Sequence, residues 1–331
     1  MRISVFPKGD LDALMAGELT VPSWIRQMAA LPIEGVELYA PLFVGAQDAL
    51  FDDVATALDA TGLEMPMFCA SPDFTHPDER QRRREIEQQA EAIRAAHRLG
   101  GPGVSCRVLS GQRHPEVSLD DGVRYAVDAI TELLPLAREL DVVLAMENHY
   151  KDGYWEYPEF AQRAEVYLEI LGQVDERVHF GVQYDPSNAV VAGEDSAEFL
   201  ERVVDRVVTM QASDRRLAEG VTLADLAASD GTIGYSPSLQ HGVIGRGLND
   251  YPRIFSTLVA AGYDGWISIE DGVNGFEELQ ASAEFLEQAR TDYFSGSTAV
   301  RVRSHDEARA RQIPAGQIPA SQSQPVQEEQ R

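Results

Sequence analysis

The chain has 331 residues, 44% of them hydrophobic, enough for a large core in one domain or two. Lys and Arg number 28 against 54 Asp and Glu, and the net charge of -26 argues against nucleic acid and anionic membrane as partners. Cys69 and Cys106 both lie in apolar runs and read as buried thiols. "MRISVFPKGD" reaches a charge and a glycine too early for a secretory apolar region, and no apolar run approaches a membrane span, so a cytoplasmic location is expected.

Short apolar, β-branched runs alternate with longer amphipathic ones. Strands are expected at "ISVFP" (3–7), "GVELYA" (35–40), "EMPMFCA" (64–70), "GVSCRVL" (103–109), "VVLAMEN" (142–148), "VHFGVQYD" (178–185), "VVTMQASD" (207–214) and "WISIED" (266–271). Between them lie helical patterns such as 80–100 and 120–141, several ending in Gly or Asp just before the next strand. Near-continuous apolar strands fit a parallel sheet covered on both faces. Eight strand–helix units in this length fit an α/β fold of the (β/α)8 TIM barrel type, one catalytic domain over 1–294. A doubly wound open sheet would carry a glycine-rich phosphate loop after an early strand, and "VFPKGDLDAL" holds none. Two segments break the repeat. One is a long insertion after the seventh strand (216–243). The other is a Pro/Gln/Ser-rich tail (295–331), expected to be disordered or partner-binding.

In such a barrel the active site lies where the strands end. The fifth strand ends in Glu147-Asn148-His149 and the sixth in "QYDPSN", with Asp185 and Asn188. The seventh carries Gln211 and Asp214, and the eighth ends in Glu270-Asp271. Carboxylates crowded at one mouth repel one another unless a cation sits among them. Glu147, Asp185 and Glu270 with the Gln211 amide oxygen would form a hard, oxygen-only set suited to Mn²⁺ or Mg²⁺. The competing explanation is that each acid caps a helix or pairs with Arg107, Arg215 or Arg246. If Glu147 points into the mouth, His149 does so two residues on, and a neutral imidazole there suits a general base. Arg107 and His114, near the end of the fourth strand, are expected at the surface, with substrate contact as the alternative. Tyr154 and Trp155 are expected to pack, with stacking on a substrate as the alternative.

The order "GVELY", "MENH", "QYDPSN", "MQASDR", "GVIGRG" and "GYDGWISIEDG" resembles the xylose isomerase-like barrel superfamily, over about Met1 to Phe294. The resemblance implies metal ligands at Glu147, Asp185, position 211 and Glu270. Gln211 stands where that superfamily usually has His. Gln there, with Glu-Asn-His after strand five, is similar to the metal-binding subunit of C-glycoside deglycosidases. The implied activity is lysis of the bond between a 3-oxo sugar and its aglycone. Loss of the sugar C2 proton would give a metal-stabilised enolate, and β-elimination would follow. The resemblance also implies a small β subunit in a hetero-oligomer, with contact expected at the insertion, and places the segment holding Arg246, next to His241, facing the substrate. Asn188 either bonds a sugar hydroxyl or caps a helix. The alternative function is a sugar or ketose isomerase or epimerase, or an inosose dehydratase, with Glu147 and Glu270 as bases. An endonuclease-IV-like role would need a basic groove and more histidines than seven. A non-catalytic binding barrel remains an option if Gln211 marks a degenerate site.

Overall fold

The structure, a computed structural model, describes residues 1–228 and 238–295. Strands β1 (Arg2–Val5), β2 (Gly35–Val36), β3 (Leu38–Tyr39), β4 (Met67–Cys69), β5 (Ser105–Val108), β6 (Val143–Glu147), β7 (Phe180–Tyr184) and β8 (Val207–Ala212) follow the expected order. The ribbon strands β9 (Asp214–Leu217) and β10 (Leu239–Gly242) come next, and β11 (Trp266–Ile269) completes the barrel. Neighbours in the parallel sheet run β2-β1-β11-β8-β7-β6-β5-β4-β3. Its two outer strands, β2 and β3, are consecutive in the chain with Glu37 alone between them. The sheet therefore closes into eight staves, the second of them interrupted at Glu37, whose amide still donates to the Val5 carbonyl at 2.8 Å. This is the expected TIM barrel.

The surrounding helices are α1 (Leu11–Met15), α2 (Val21–Met28), α3 (Asp48–Thr61), α4 (Glu79–Gly100), α5 (Leu119–Leu140) and α6 (Ala164–Gln173). After them come α7 (Pro186–Val191), α8 (Ser196–Val203), α9 (Leu223–Ala228), α10 (Tyr251–Ala260) and α11 (Phe276–Ala289). Asp78 caps α4 by accepting from Arg80 N at 2.7 Å, and Ser118 caps α5 by accepting from Asp121 N at 3.1 Å. Asp141 takes the left-handed turn that ends α5 and delivers β6. No helix among the described residues is long and apolar enough to cross a membrane.

Strand alternation sorts the core into two layers. Ile3, Val5, Leu144, Met146 and Ile267 face the helices and join the main hydrophobic cluster. Phe6, Tyr39, Met67, Cys69 and Ala145 face inward as a small second cluster. Many of the other inward positions are polar and buried, among them Ser4, Glu37, Ser105, Arg107, Gln183, Gln211 and Ser268. An interior this polar, so close to the strand ends, marks where chemistry is placed.

The insertion is not an irregular loop at its base. β9 and β10 pair antiparallel, with Arg216 opposite Gln240 and Arg215 opposite His241. Residues 229–237 of the insertion, and the tail from 296 onward, lie outside the described residues.

Candidate active site

The three polar residues after β6 divide the work. Glu147 is buried; its Oε2 accepts from Arg107 Nη1 at 2.8 Å and its Oε1 from Asn188 Nδ2 at 2.9 Å. Asn148 is structural: its Nδ2 donates to the Asp185 carbonyl at 2.6 Å, and its Oδ1 accepts from Asp185 N at 2.8 Å. That amide clips the ends of β6 and β7 together. His149 is buried, its ring stacked on Tyr150 at 5.6 Å and edge-on to Trp155 at 6.2 Å. Burial would lower the imidazole pKa, but the Glu147 charge and Glu159 outweigh it and raise it above its ordinary value.

Asp185 and Glu270, each just past the end of its strand, β7 and β11 on either side of β8, are buried neighbours that act on each other electrostatically. Burial and the neighbouring Glu270 charge push Asp185 well up. Burial acts on Glu270 in the same direction, but the Lys8 ammonium, 2.7 Å from its Oε1, holds it below the usual carboxylate range. The two groups are thus pushed in opposite directions, as neighbouring buried carboxyls that titrate together are. Asp185 also caps α7, its Oδ1 accepting from Ser187 N at 2.7 Å, Asn188 N at 3.2 Å and Ser213 Oγ at 2.7 Å. Gln211, one stave over, donates its Nε2 to Glu37 Oε2 at 2.7 Å and leaves its own Oε1 buried without a protein partner. Burial pushes Glu37 up to about 8.

Asn188 thus does not cap α7 through its side chain but supports Glu147. His241 lies on β10 against Arg215; burial, Arg215 and Lys8 push its imidazole down to about 3, so it is neutral. Arg246 stands exposed. Its segment, "GVIGRG", is organised by Asp214, whose Oδ2 accepts from Gly245 N at 3.0 Å and Gly247 N at 2.9 Å. A Cβ on Gly247 would sit 2.3 Å from Asp214 Oδ1, so only glycine fits there.

Two surface expectations are corrected. Arg107 is buried at 3% exposure because it faces into the barrel, where it also donates to the Ala70 carbonyl at 3.0 Å and to Ser71 Oγ at 2.8 Å. His114 is buried against Asp73, Nε2 to Oδ2 at 2.8 Å. Removing one partner of a buried ion pair leaves an uncompensated charge. Arg107→Met is therefore expected to lower unfolding free energy by about 3–5 kcal/mol. Urea denaturation checks this, and the Arg107→Met/Glu147→Met pair should recover most of the loss. Lys8, Glu37 and Glu159 were not singled out from sequence, although charges at alternate positions of apolar strands would have flagged Glu37 and Arg107.

Four oxygen-bearing groups therefore reach adjacent strand ends, but not as a finished cage. Asp185 and Glu270 are buried neighbours, the Gln211 carbonyl oxygen on the stave between theirs is buried without a protein partner, and Glu147 is turned to Arg107 and Asn188. Among the described residues, no three His, Cys, Asp or Glu side chains gather as a group that could hold a metal ion.

Strand order and strand-end chemistry define a parallel (β/α)8 barrel with a carboxylate-lined mouth. The chain belongs to the xylose isomerase-like TIM barrel family, whose model matches residues 25–289. No curated protein matches it. Among solved structures, it is similar to a D-tagatose 3-epimerase-like protein: 18% identity, TM-score 0.69, 88% of this chain and 97% of that one. It is also similar to the 3-keto-D-glucoside 4-epimerase YcjR from E. coli: 17% identity, TM-score 0.62, 88% and 99% covered. The IOLI protein, solved with a zinc atom bound, matches at 16% identity and TM-score 0.65, with 89% and 100% covered. At these identities the likeness is one of fold.

Proposed function

We propose that the chain is a divalent-metal-dependent lyase that cleaves 3-oxo-C-glycosides. The observation that carries the metal is the Gln211 carbonyl oxygen, buried without a protein partner on the stave between those that end in the buried Asp185 and Glu270. Two neighbouring buried carboxylates need a proton or a cation beside them. The donors fit a hard ion such as Mn²⁺ or Mg²⁺. Asp185, Glu270 and Gln211 would hold it, and Glu147 could join only by releasing Arg107 or Asn188. When bound, the ion supplies Lewis-acid polarisation of the sugar carbonyl.

The chain's own residues supply the rest. His149 takes the proton from sugar C2, and that electron pair forms the enolate of the C3 ketone. As the ketone re-forms, a C1–C2 double bond is made and the C1–aglycone bond breaks, its electrons leaving on the aglycone carbon. That carbon takes a proton, so the step is redox-neutral and His149 can return what it removed. Asn188 and Arg107 hold the Glu147 carboxylate beside this path.

An aglycone needs room, and a cavity of about 600 Å³ lies beside the mouth. Phe43, Val44, Phe51, Phe68, Tyr154 and Trp155 line it, with Val44 85% and Tyr154 68% exposed at its rim. Trp155 links it to His149, and Ser71, also in its wall, accepts from the Arg107 that holds Glu147. Its size and aromatic lining suit an aromatic aglycone. Ala95 lies in the same wall. Ala95→Phe is expected to raise KM for a 3-oxo-C-glycoside about tenfold, roughly 1.4 kcal/mol, with Mn²⁺ uptake unchanged. Steady-state kinetics beside metal analysis would show it, and an unaltered KM would remove the aglycone from this cavity.

The same base and donors serve a second reading, an isomerase, epimerase or dehydratase of sugars, which returns the proton to carbon instead of expelling a group. The neighbours described as epimerases, one of them of a 3-keto glucoside, favour it. Incubating the purified chain with a 3-oxo-C-glycoside and with free ketoses, with and without a candidate small β subunit, separates the two. The β9–β10 ribbon is where we place that subunit.

A further inference from the structure

We propose that Glu159 is the positioning residue for His149, holding the imidazole with Nδ1 protonated and leaving the Nε2 lone pair for the mouth. This rests on the reading of His149 as the base.

Glu159 Oε2 and His149 Nδ1 face each other at 3.8 Å, both atoms buried and neither within hydrogen-bond reach of another group. Glu159 is fully buried. Its other oxygen is fixed by Ser110, whose backbone N donates to Oε1 at 2.8 Å and whose Oγ also donates to it. The backbone is fixed as well: Glu159 N donates to the Tyr150 carbonyl at 2.8 Å, and Phe160 N to the Gly111 carbonyl at 2.7 Å. The connection from Tyr150 to Glu159 is thus tied at its base. It brings a carboxylate back to the histidine ten residues before it.

A neutral imidazole carries one N–H and one lone pair. A carboxylate only accepts, so the nitrogen facing Glu159 must carry the proton. The stacking of Tyr150 and the edge of Trp155 restrain the ring, so orientation and tautomer are set together. The 3.8 Å gap is longer than a hydrogen bond, and such contacts commonly tighten when substrate binds. Exchanging an orienting acid for its amide in a histidine-based site inverts the tautomer, and in serine-protease triads costs about 10⁴ in rate.

The test is Glu159→Gln, read two ways. In ¹⁵N-histidine-labelled protein in mildly alkaline buffer, two-bond ¹H–¹⁵N correlations report which ring nitrogen of His149 is protonated. His149→Gln identifies its signals. Wild type should show the Nδ1–H form and Glu159→Gln the Nε2–H form. On a 3-oxo-C-glycoside, kcat should fall about 10²–10⁴-fold with KM little changed. Glu159→Asp keeps the acceptor and should keep the Nδ1–H form with an intermediate kcat. If Glu159→Gln fails to fold, Ser110→Ala, which loosens the same carboxylate, should give a mixture of tautomers and a smaller kcat loss. An unchanged tautomer in these variants would overturn the proposal. The ring measurement needs no substrate, so it decides on Glu159 even if His149→Ala kept its turnover, an outcome that would sink the base assignment instead.

Discussion

Replacing His149 by alanine is expected to lower kcat on a 3-oxo-C-glycoside by about 10²–10⁴-fold, the usual worth of a positioned general base. Metal content should stay at the wild-type level, because the imidazole is not among the proposed oxygen donors. The two readouts together separate a base from a ligand: a ligand would lose both, a base only turnover. Truncation also leaves the buried Glu159 Oε2 facing a void. A stability loss of about 1–3 kcal/mol is expected, so kinetics belong well below the melting transition. Retained turnover in a folded His149→Ala protein would pass the proton to Glu147 or Glu270, as the epimerase reading requires.

The barrel was legible because its signals are local. Each strand is a short apolar run, and helix ends such as Asp141 carry their own turn chemistry. The strand-end polar groups were legible for the same reason, since Glu147, Asp185, Gln211 and Glu270 each follow or interrupt a buried run. Their partners were not. Lys8 meets Glu270 across 262 residues and Arg107 meets Glu147 across 40, because closing the barrel brings the first stave beside the last and sets inward side chains of neighbouring staves together. No spacing rule reaches that far. "SCRVL" and "GVELYA" nevertheless held a cue: a charge inside an apolar strand either faces water or is paired inside, and in a closed barrel the second is the rule. Asn148 carried a different lesson. It sits between two candidate functional residues, yet it spends its amide on backbone, which sequence could not distinguish from a site role. Glu159 lies in an irregular connection where no period exists to place it.

The metal stands on Asp185, and Asp185→Asn tests it without disturbing the helix Asp185 begins. Asn is as good an N-cap as Asp, so the bonds from Ser187 N and Asn188 N can be kept. What disappears is one carboxylate of the buried pair. In the absence of metal the variant should be as stable as wild type or more so, since a carboxyl whose ionisation is disfavoured by burial and by Glu270 is replaced by a neutral amide of the same shape. With Mn²⁺ the order should reverse. An ion at about 100 times its Kd stabilises the wild-type fold by about 2.7 kcal/mol, a Tm rise of roughly 5–10 °C for a domain of this size, and the variant should show almost none of it. Turnover should fall with the metal, unlike in His149→Ala. The opposing outcome is physically specific. Lys8 already neutralises Glu270 and Arg107 already neutralises Glu147. If those two cations suffice for the mouth, Mn²⁺ will leave the wild-type Tm where it was, and the metal-dependent reading falls while the barrel and its histidine stand.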